Sequence, residues 1–273
     1  MNPALSMDPN RLFVIAGPCV IESRDLCLRI AEYLKSVCDK LGVVYIFKAS
    51  FDKANRSSSS SFRGPGLEGG LAVLSEIRNT FGIAVLTDIH ETGQVETAAT
   101  VVDVLQVPAF LARQTDLLQA CGRTGRTVNV KKGQFMSPQE MGNVVEKIRA
   151  TGNHSVWLCE RGTFFGYNRL VNDFTGLAEM KRLGCPVVFD ITHSTQMPAA
   201  QGHQSGGNPQ YSPLLARAAI ASGCVDGLFL ECHPDPKNAK SDAATMLDLD
   251  TVPTLLNQSV EIFHLRHRWE KLL

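Results

Sequence analysis

Two sets of side chains in this sequence have the chemistry of a binding site. The first is cationic. Lys48, Lys53 and Arg56 fall where the apolar run 43–47 gives out, with Asn55 between them and Ser57 opening a serine run, and Lys131 and Arg161 follow two further apolar runs. Lys+Arg and Asp+Glu both number 27, so the formal net charge is zero and no global field draws in nucleic acid or an anionic membrane. A local gathering of cations in such a chain points instead to one or two phosphates or carboxylates on small substrates. The second set is Cys19, His193 and Glu231, with Asp235 and Asp242 behind them. A thiolate, an imidazole and one or two carboxylates make a borderline-soft site for a divalent metal ion such as Mn, Fe or Zn, with room left for a water, as in catalytic centres. Spacing alone does not choose between Asp235 and Asp242.

The elements that must position these groups follow from the apolar periodicity. Short apolar runs at 12–16, 43–47, 83–86, 102–107, 127–130, 155–159, 186–189 and 227–230 read as strands. Helical patterns lie between and after them: about 26–41, 67–81, 91–99, 115–121, a helix opening at Ser137, then 173–183, 213–221 and 251–273. At Ser137 the serine can cap, Pro138 suits the first helical position and Glu140 can reach back as a capping box.

Strands and helices alternating over this length imply a (β/α)8 TIM barrel forming one catalytic domain across residues 1–273, with a short N-terminal tail at 1–11. A doubly wound open sheet is the alternative, but no GxGxxG follows the first strand. In a barrel the carboxyl ends of the strands share one mouth. Here those ends read Cys19, Lys48, Asp88 with His90, Gln106, Lys131, Arg161, Asp190 with His193, and Glu231 with His233. Strand parity puts Asn129 and Lys131 on one face and Lys132 on the other, so only one of the paired lysines points into the mouth.

With 44% hydrophobic residues the 273-residue chain can bury a substantial core. Its first ten residues lack the basic start and apolar stretch of a secretory signal, and no run approaches transmembrane length, so a cytoplasmic enzyme is expected. The 8 cysteines include no CxxC pair and sit mostly in apolar periodic segments, where they read as small buried hydrophobes.

The motifs AGPCVIES at 16–23, FKASFDKANRSS at 47–58, LTDIHE at 86–91, QVPAFLARQTDLL at 106–118, VNVKKGQF at 128–135, ERGTFFGYN at 160–168, FDITHS at 189–194 and ECHPDPKNAKSD at 231–242 cover essentially the whole chain. Together they resemble the 3-deoxy-D-manno-octulosonate 8-phosphate synthases, also called 2-dehydro-3-deoxyphosphooctonate aldolases. The resemblance implies condensation of phosphoenolpyruvate with arabinose 5-phosphate, with release of phosphate, to feed the inner sugar of Gram-negative lipopolysaccharide or a related polymer.

Carried over motif by motif, it implies that Lys48, Gln106, Ala109, Lys131 and Arg161 hold phosphoenolpyruvate. Lys53, Asn55, Arg56 and Ser57 would hold the sugar phosphate, with Arg113 reaching in from a neighbouring subunit of a homotetramer. Asp88 and His90 would line the same mouth. Cysteine after Gly-Pro, here Cys19, and the Ser-Asp-Ala at 241–243 resemble the metal-dependent branch, which implies Cys19, His193, Glu231 and Asp242 as ligands. His193, Asp242 and His90 are the groups that could move protons. The chain departs from its relatives after Gly207, where they commonly carry a basic residue and it has Asn208-Pro209-Gln210. Two other chemistries stay open: the heptulosonate 7-phosphate synthase reaction with erythrose 4-phosphate, and a Schiff-base aldolase using Lys48 or Lys131.

Overall fold

A computed structural model describes residues 8–54, 61–164, 169–198 and 206–266. Strands β1 (Phe13–Gly17), β2 (Val44–Lys48), β3 (Ala84–Asp88), β4 (Val104–Val107), β5 (Thr127–Lys131), β6 (Val156–Glu160), β7 (Val187–Asp190) and β8 (Gly227–His233) pair in sequence order. The pairings are parallel, and β8 returns to β1 in the register Phe13↔Gly227 through Gly17↔Glu231, closing the sheet into a (β/α)8 barrel. The helices are α1 (Arg24–Leu41), α2 (Gly66–Phe81), α3 (Thr92–Ala99), α4 (Thr115–Arg123), α5 (Met141–Arg149), α6 (Phe174–Lys181), α7 (Ser212–Ala221) and α8 (Val252–Arg266). Among the described residues no helix is long and apolar enough to cross a membrane.

The strands are apolar on both faces because both are buried. Outward residues such as Val14, Phe47, Val128 and Leu230 pack against the helices, which present residues at helical spacing: Cys27, Ile30, Ala31, Leu34 and Cys38 on α1. Inward residues fill the barrel: Phe13 and Ile15 of β1, Val44 and Ile46 of β2, Ala84 and Leu86 of β3, and Phe229 of β8. Continuing the same two-residue step up each strand, the next inward positions are Gly17, Lys48, Asp88, Gln106, Lys131, Arg161, Asp190 and Glu231. The apolar plug therefore ends in a polar layer at the carboxyl ends, where this architecture places its chemistry. At the opposite end Asp103 and Asp226 accept from the amides of Val85 and Val187 and pair with Arg78 and Lys181, fastening strand starts to helix ends.

Several boundaries differ from the sequence reading. Most strands run one or more residues further toward the mouth, because polar side chains there are buried and bonded instead of solvated. The helix expected from Ser137 begins at Met141. Ser137 and Glu140 do exchange their capping bonds, with the Ser137 amide 2.9 Å from Glu140 Oε2 and the Glu140 amide 3.4 Å from Ser137 Oγ, but around a turn that precedes the helix. The last helix is described to Arg266, and its expected continuation to 273 lies outside the described residues.

Candidate active site

The inward cations are each held by a carboxylate or an amide. Lys48, 1% exposed, places Nζ 2.6 Å from Glu231 Oε1 and 2.8 Å from the Cys19 carbonyl oxygen. Burial would lower its pKa, but the charges of Glu231, Asp88 and Cys19 together overcome that and raise it, so the ammonium form is favoured. Gly17 permits this approach of β1 to β2, since a Cβ there would lie 2.1 Å from the Lys48 carbonyl oxygen. Lys131 pairs with Asp190 and sits 3.2 Å above the Phe229 ring centre, while Lys48 lies 5.6 Å from the same centre. Arg161 donates from Nη2 to Gln196 Oε1 at 2.7 Å and keeps Nη1 buried with no partner. Lys53 is half-buried at the edge of this group. Its pKa is raised because the charges of Cys19, Glu231, Asp88 and Asp242 overcome the burial that would lower it.

Four donor atoms of the second set converge beside these cations. Ligand atoms of Cys19, Glu231 and Asp242 lie within 4.8 Å of one another. His193 Nε2 is 3.6 Å from Glu231 Oε2 and 3.7 Å from Asp242 Oδ2. Its Nδ1 is 2.7 Å from Asp190 Oδ2, the arrangement that fixes a ligand imidazole through a carboxylate behind it. Asp190 Oδ1 in turn accepts from the amides of Thr192 and His193 at 3.0 and 2.9 Å.

Three observations fit this set to a divalent cation. Glu231 Oε2 is buried without a hydrogen-bond partner. Asp242 is the described non-glycine residue with a left-handed backbone, φ 48°, a strained conformation that turns its carboxylate toward the cluster. The Cys19 thiol is raised well above its ordinary pKa, first by burial and then by Asp242 and Glu231, and a cation placed among these groups would oppose that rise. Its Sγ lies 3.0 Å from Ser241 Oγ and 3.1 Å from Asp242 Oδ2. The other cysteines are unpaired and buried, and burial pushes Cys27, Cys38, Cys121 and Cys159 up to about 12, the inert core role expected of them.

A third group closes the far wall. Asp88 accepts from Ser50 Oγ and from Gln106 Nε2, and Gln106 Oε1 accepts from Asn129 Nδ2 at 2.8 Å. Burial would raise the Asp88 carboxyl, yet Lys48 and Lys53 hold it well below the ordinary range. Above the unfolded aspartate value of about 3.9 the lowered pKa contributes its full stabilisation, which is lost as the pH falls from there toward the folded value. Asp88→Asn is therefore expected to lose less stability than the parent between about pH 5 and pH 3. Urea midpoints across that range check this, and parallel acid limbs in the two proteins would remove Asp88 as the source.

Most of the residues singled out in the sequence meet here. His90 packs edge-on to Phe51 at 5.8 Å with Nδ1 buried and unpartnered, and burial lowers its pKa. Ala109 is buried at the start of the loop after β4. Asp235 sits apart from the cluster, accepting from Asn238, and His233 accepts from the Asp235 amide, so geometry selects Asp242. Arg113 is exposed and lines a surface cleft with Met136, Glu140 and Lys147, away from the inward groups. Asn55, Arg56 and Ser57 lie outside the described residues. Ser50, Ser241, Phe229 and the outward pair Lys132 and Glu160 were missed. Ser50 and Phe229 are two residues from Lys48 and Glu231, so the parity step could have found them.

The family model described as "DAHP synthetase I family" matches residues 5–267. Curated relatives named 2-dehydro-3-deoxyphosphooctonate aldolase are similar over most of both chains. The protein of Xylella fastidiosa (strain 9a5c) is 57% identical over 251 residues, covering 92% of this chain and 91% of its own. That of Stenotrophomonas maltophilia (strain K279a) is 56% identical over the same length. That of Thioalkalivibrio sulfidiphilus (strain HL-EbGR7) is 56% identical over 245 residues, 90% of this chain and 87% of its own.

Proposed function

The chain belongs to the DAHP synthetase I family, and from that premise we propose that it is a 2-dehydro-3-deoxyphosphooctonate aldolase acting in the direction of synthesis. Phosphoenolpyruvate, D-arabinose 5-phosphate and water give 3-deoxy-D-manno-octulosonate 8-phosphate and inorganic phosphate. The observation that carries this reading is the meeting of Lys48, Lys131 and Arg161 with the donor set Cys19, His193, Glu231 and Asp242 in one mouth. Either half alone would fit many anion or cation sites; both together suit a carboxylated, phosphorylated substrate reacting at a polarised carbon.

In this reading Lys48, Lys131 and Arg161 bind the phosphate and carboxylate of phosphoenolpyruvate, with Gln106 and the backbone at Ala109 bordering it. Lys53, with Asn55, Arg56 and Ser57, binds the sugar phosphate. Holding the enol C3 against the sugar aldehyde supplies much of the acceleration by proximity. A new C–C bond forms there, water adds at C2, and phosphate departs with C–O cleavage. Cys19, His193, Glu231 and Asp242 hold a divalent ion, which when bound supplies Lewis-acid polarisation and acidifies nearby water. Asp88 stays ionised and orients Gln106. His90, neutral at pH 7 and with Nδ1 free of internal partners, is placed to take up a proton. A Schiff-base route is disfavoured, because an imine-forming lysine must be neutral and Lys48 and Lys131 are each paired with a buried carboxylate, Glu231 and Asp190.

We further infer a homotetramer working in the cytoplasm. Phe110 and Phe135, 59% and 56% exposed, are large apolar side chains that a second subunit would cover, and the exposed Arg113 is free to reach such a neighbour. Light scattering should give four chains per particle.

The decisive measurement is phosphate release from phosphoenolpyruvate with arabinose 5-phosphate or erythrose 4-phosphate, with chelator and with added Mn²⁺ or Zn²⁺. Turnover with the five-carbon acceptor, lost to chelator and restored by metal, is expected; preference for erythrose 4-phosphate or chelator-resistant turnover would overturn the respective part. Cys19→Ala should lower bound metal, by elemental analysis, together with activity.

A further inference from the structure

Lys132 and Glu160 form a buried ion pair that the mouth does not use. Both face outward from the barrel, at 0% and 1% exposure, with Lys132 Nζ 3.6 Å from Glu160 Oε1. A buried pair in such a layer gains little over apolar side chains of the same size. What sets it apart is where its atoms go. The β5–β6 register ends at Lys131↔Cys159 and the β6–β7 register at Glu160↔Phe189, so the amides of Arg161 and Gly162 have left the sheet. Glu160 Oε1 accepts from both, at 2.9 and 2.7 Å, across the left-handed turn at Gly162 (φ 95°). Lys132 Nζ donates to the Met136 carbonyl oxygen at 3.2 Å and to Thr163 Oγ1 at 3.1 Å, and its amide donates to the Cys159 carbonyl oxygen at 2.8 Å. One cation thus ties the loop after β5 and the segment after β6 to one carboxylate.

Each member of this pair is the chain neighbour of an inward cation: Lys132 of Lys131, Glu160 of Arg161. Backbone that is fixed on the outside sets where the next side chain emerges on the inside. We propose that Lys132 and Glu160 are positioning residues that fix the separation and aim of Lys131 and Arg161, and so set the affinity for phosphoenolpyruvate. This rests on the assignment of Lys131 and Arg161 to that substrate.

The test compares metal-loaded protein with Glu160→Ala, Glu160→Gln and Lys132→Met, by steady-state kinetics and by direct titration of phosphoenolpyruvate in a calorimeter. In Glu160→Ala and Lys132→Met the KM and Kd for phosphoenolpyruvate should rise about tenfold or more while kcat and the KM for the sugar phosphate change little. Glu160→Gln, which keeps an oxygen acceptor for the two amides, should recover most of the affinity. Should a single variant not fold, Lys132→Met/Glu160→Leu, which buries no charge, is read in its place and should still bind weakly. Unchanged phosphoenolpyruvate affinity in a folded variant, or an equal loss for both substrates, would overturn the proposal. The titration keeps this separate from the proposed activity. A parent that binds phosphoenolpyruvate without turning over either acceptor defeats the activity alone; one that does not bind it defeats both.

Discussion

Glu231→Met is expected to lose bound divalent metal and to destabilise the fold by about 3–5 kcal/mol, the usual consequence of leaving a buried charge without its partner. The charge left behind is Lys48, 1% exposed and bonded within the site to Glu231 and to a carbonyl oxygen. Lys48→Met leaves the opposite charge and should be destabilised comparably. The double variant, with neither charge, should be more stable than either single one while remaining inactive. Urea midpoints of the four proteins, with elemental analysis, read this directly. If Glu231→Met were as stable as the parent, the pair would not be the fixed buried contact seen here. The same contact has a functional side. In the proposed assignment Glu231 is shared between the substrate-binding Lys48 and the metal donors, so a cation drawing on its carboxylate would change the charge Lys48 presents to substrate. On that assignment the two occupancies are expected to be linked, each altering the affinity for the other by the same factor.

Asp190→Asn should show the second large effect, because one carboxylate serves both halves from the other side. It pairs with Lys131, receives His193 Nδ1, and accepts two backbone amides. Its carboxyl is held far below the ordinary range, since His193 and Lys131 together outweigh its burial, and it in turn raises the pKa of His193 against burial. Asparagine keeps the size but not the charge. We expect metal affinity to fall about 10–100-fold, as when the carboxylate behind a ligand imidazole is removed, and phosphoenolpyruvate affinity to fall with it. Titration of each ligand separately distinguishes this from unfolding; loss confined to one ligand would show that Asp190 serves only that half.

Much of this was written in the sequence because the strands are buried on both faces. In such a strand a charged residue has no solvent to face, so the place where an apolar run meets Lys48, Asp88 or Glu231 marks a site more sharply than in a strand with a wet side. The two-residue step then separated Lys131 from Lys132 correctly. The helix after β5 was misread because the Ser137 and Glu140 exchange that marks a helix start can also close a single turn; local pattern does not say which. Glu160 was passed over for the opposite reason, as an outward residue whose partner, Lys132, comes from another strand. Choosing Asp242 over Asp235 needed more than spacing, since the loop after β8 brings either near Cys19 until its turn at Asp242 is known.

The join between β1 and β8 has a consequence for how the molecule is made. Cys19 and Asp242 are 223 residues apart in sequence, yet their side chains touch across that join. Nothing short of the whole ring holds the four donors together: a chain emerging during synthesis, or one with its last β/α unit detached, has Cys19 but no site. On the proposed metal assignment, a cation bound there would favour the closed ring over open forms by an amount set by its concentration relative to its dissociation constant. Contacts of such long sequence separation are slow to form. The candidate site is thus assembled only when the ring closes, and on the proposed metal assignment chelation should lower the thermal midpoint as well as turnover.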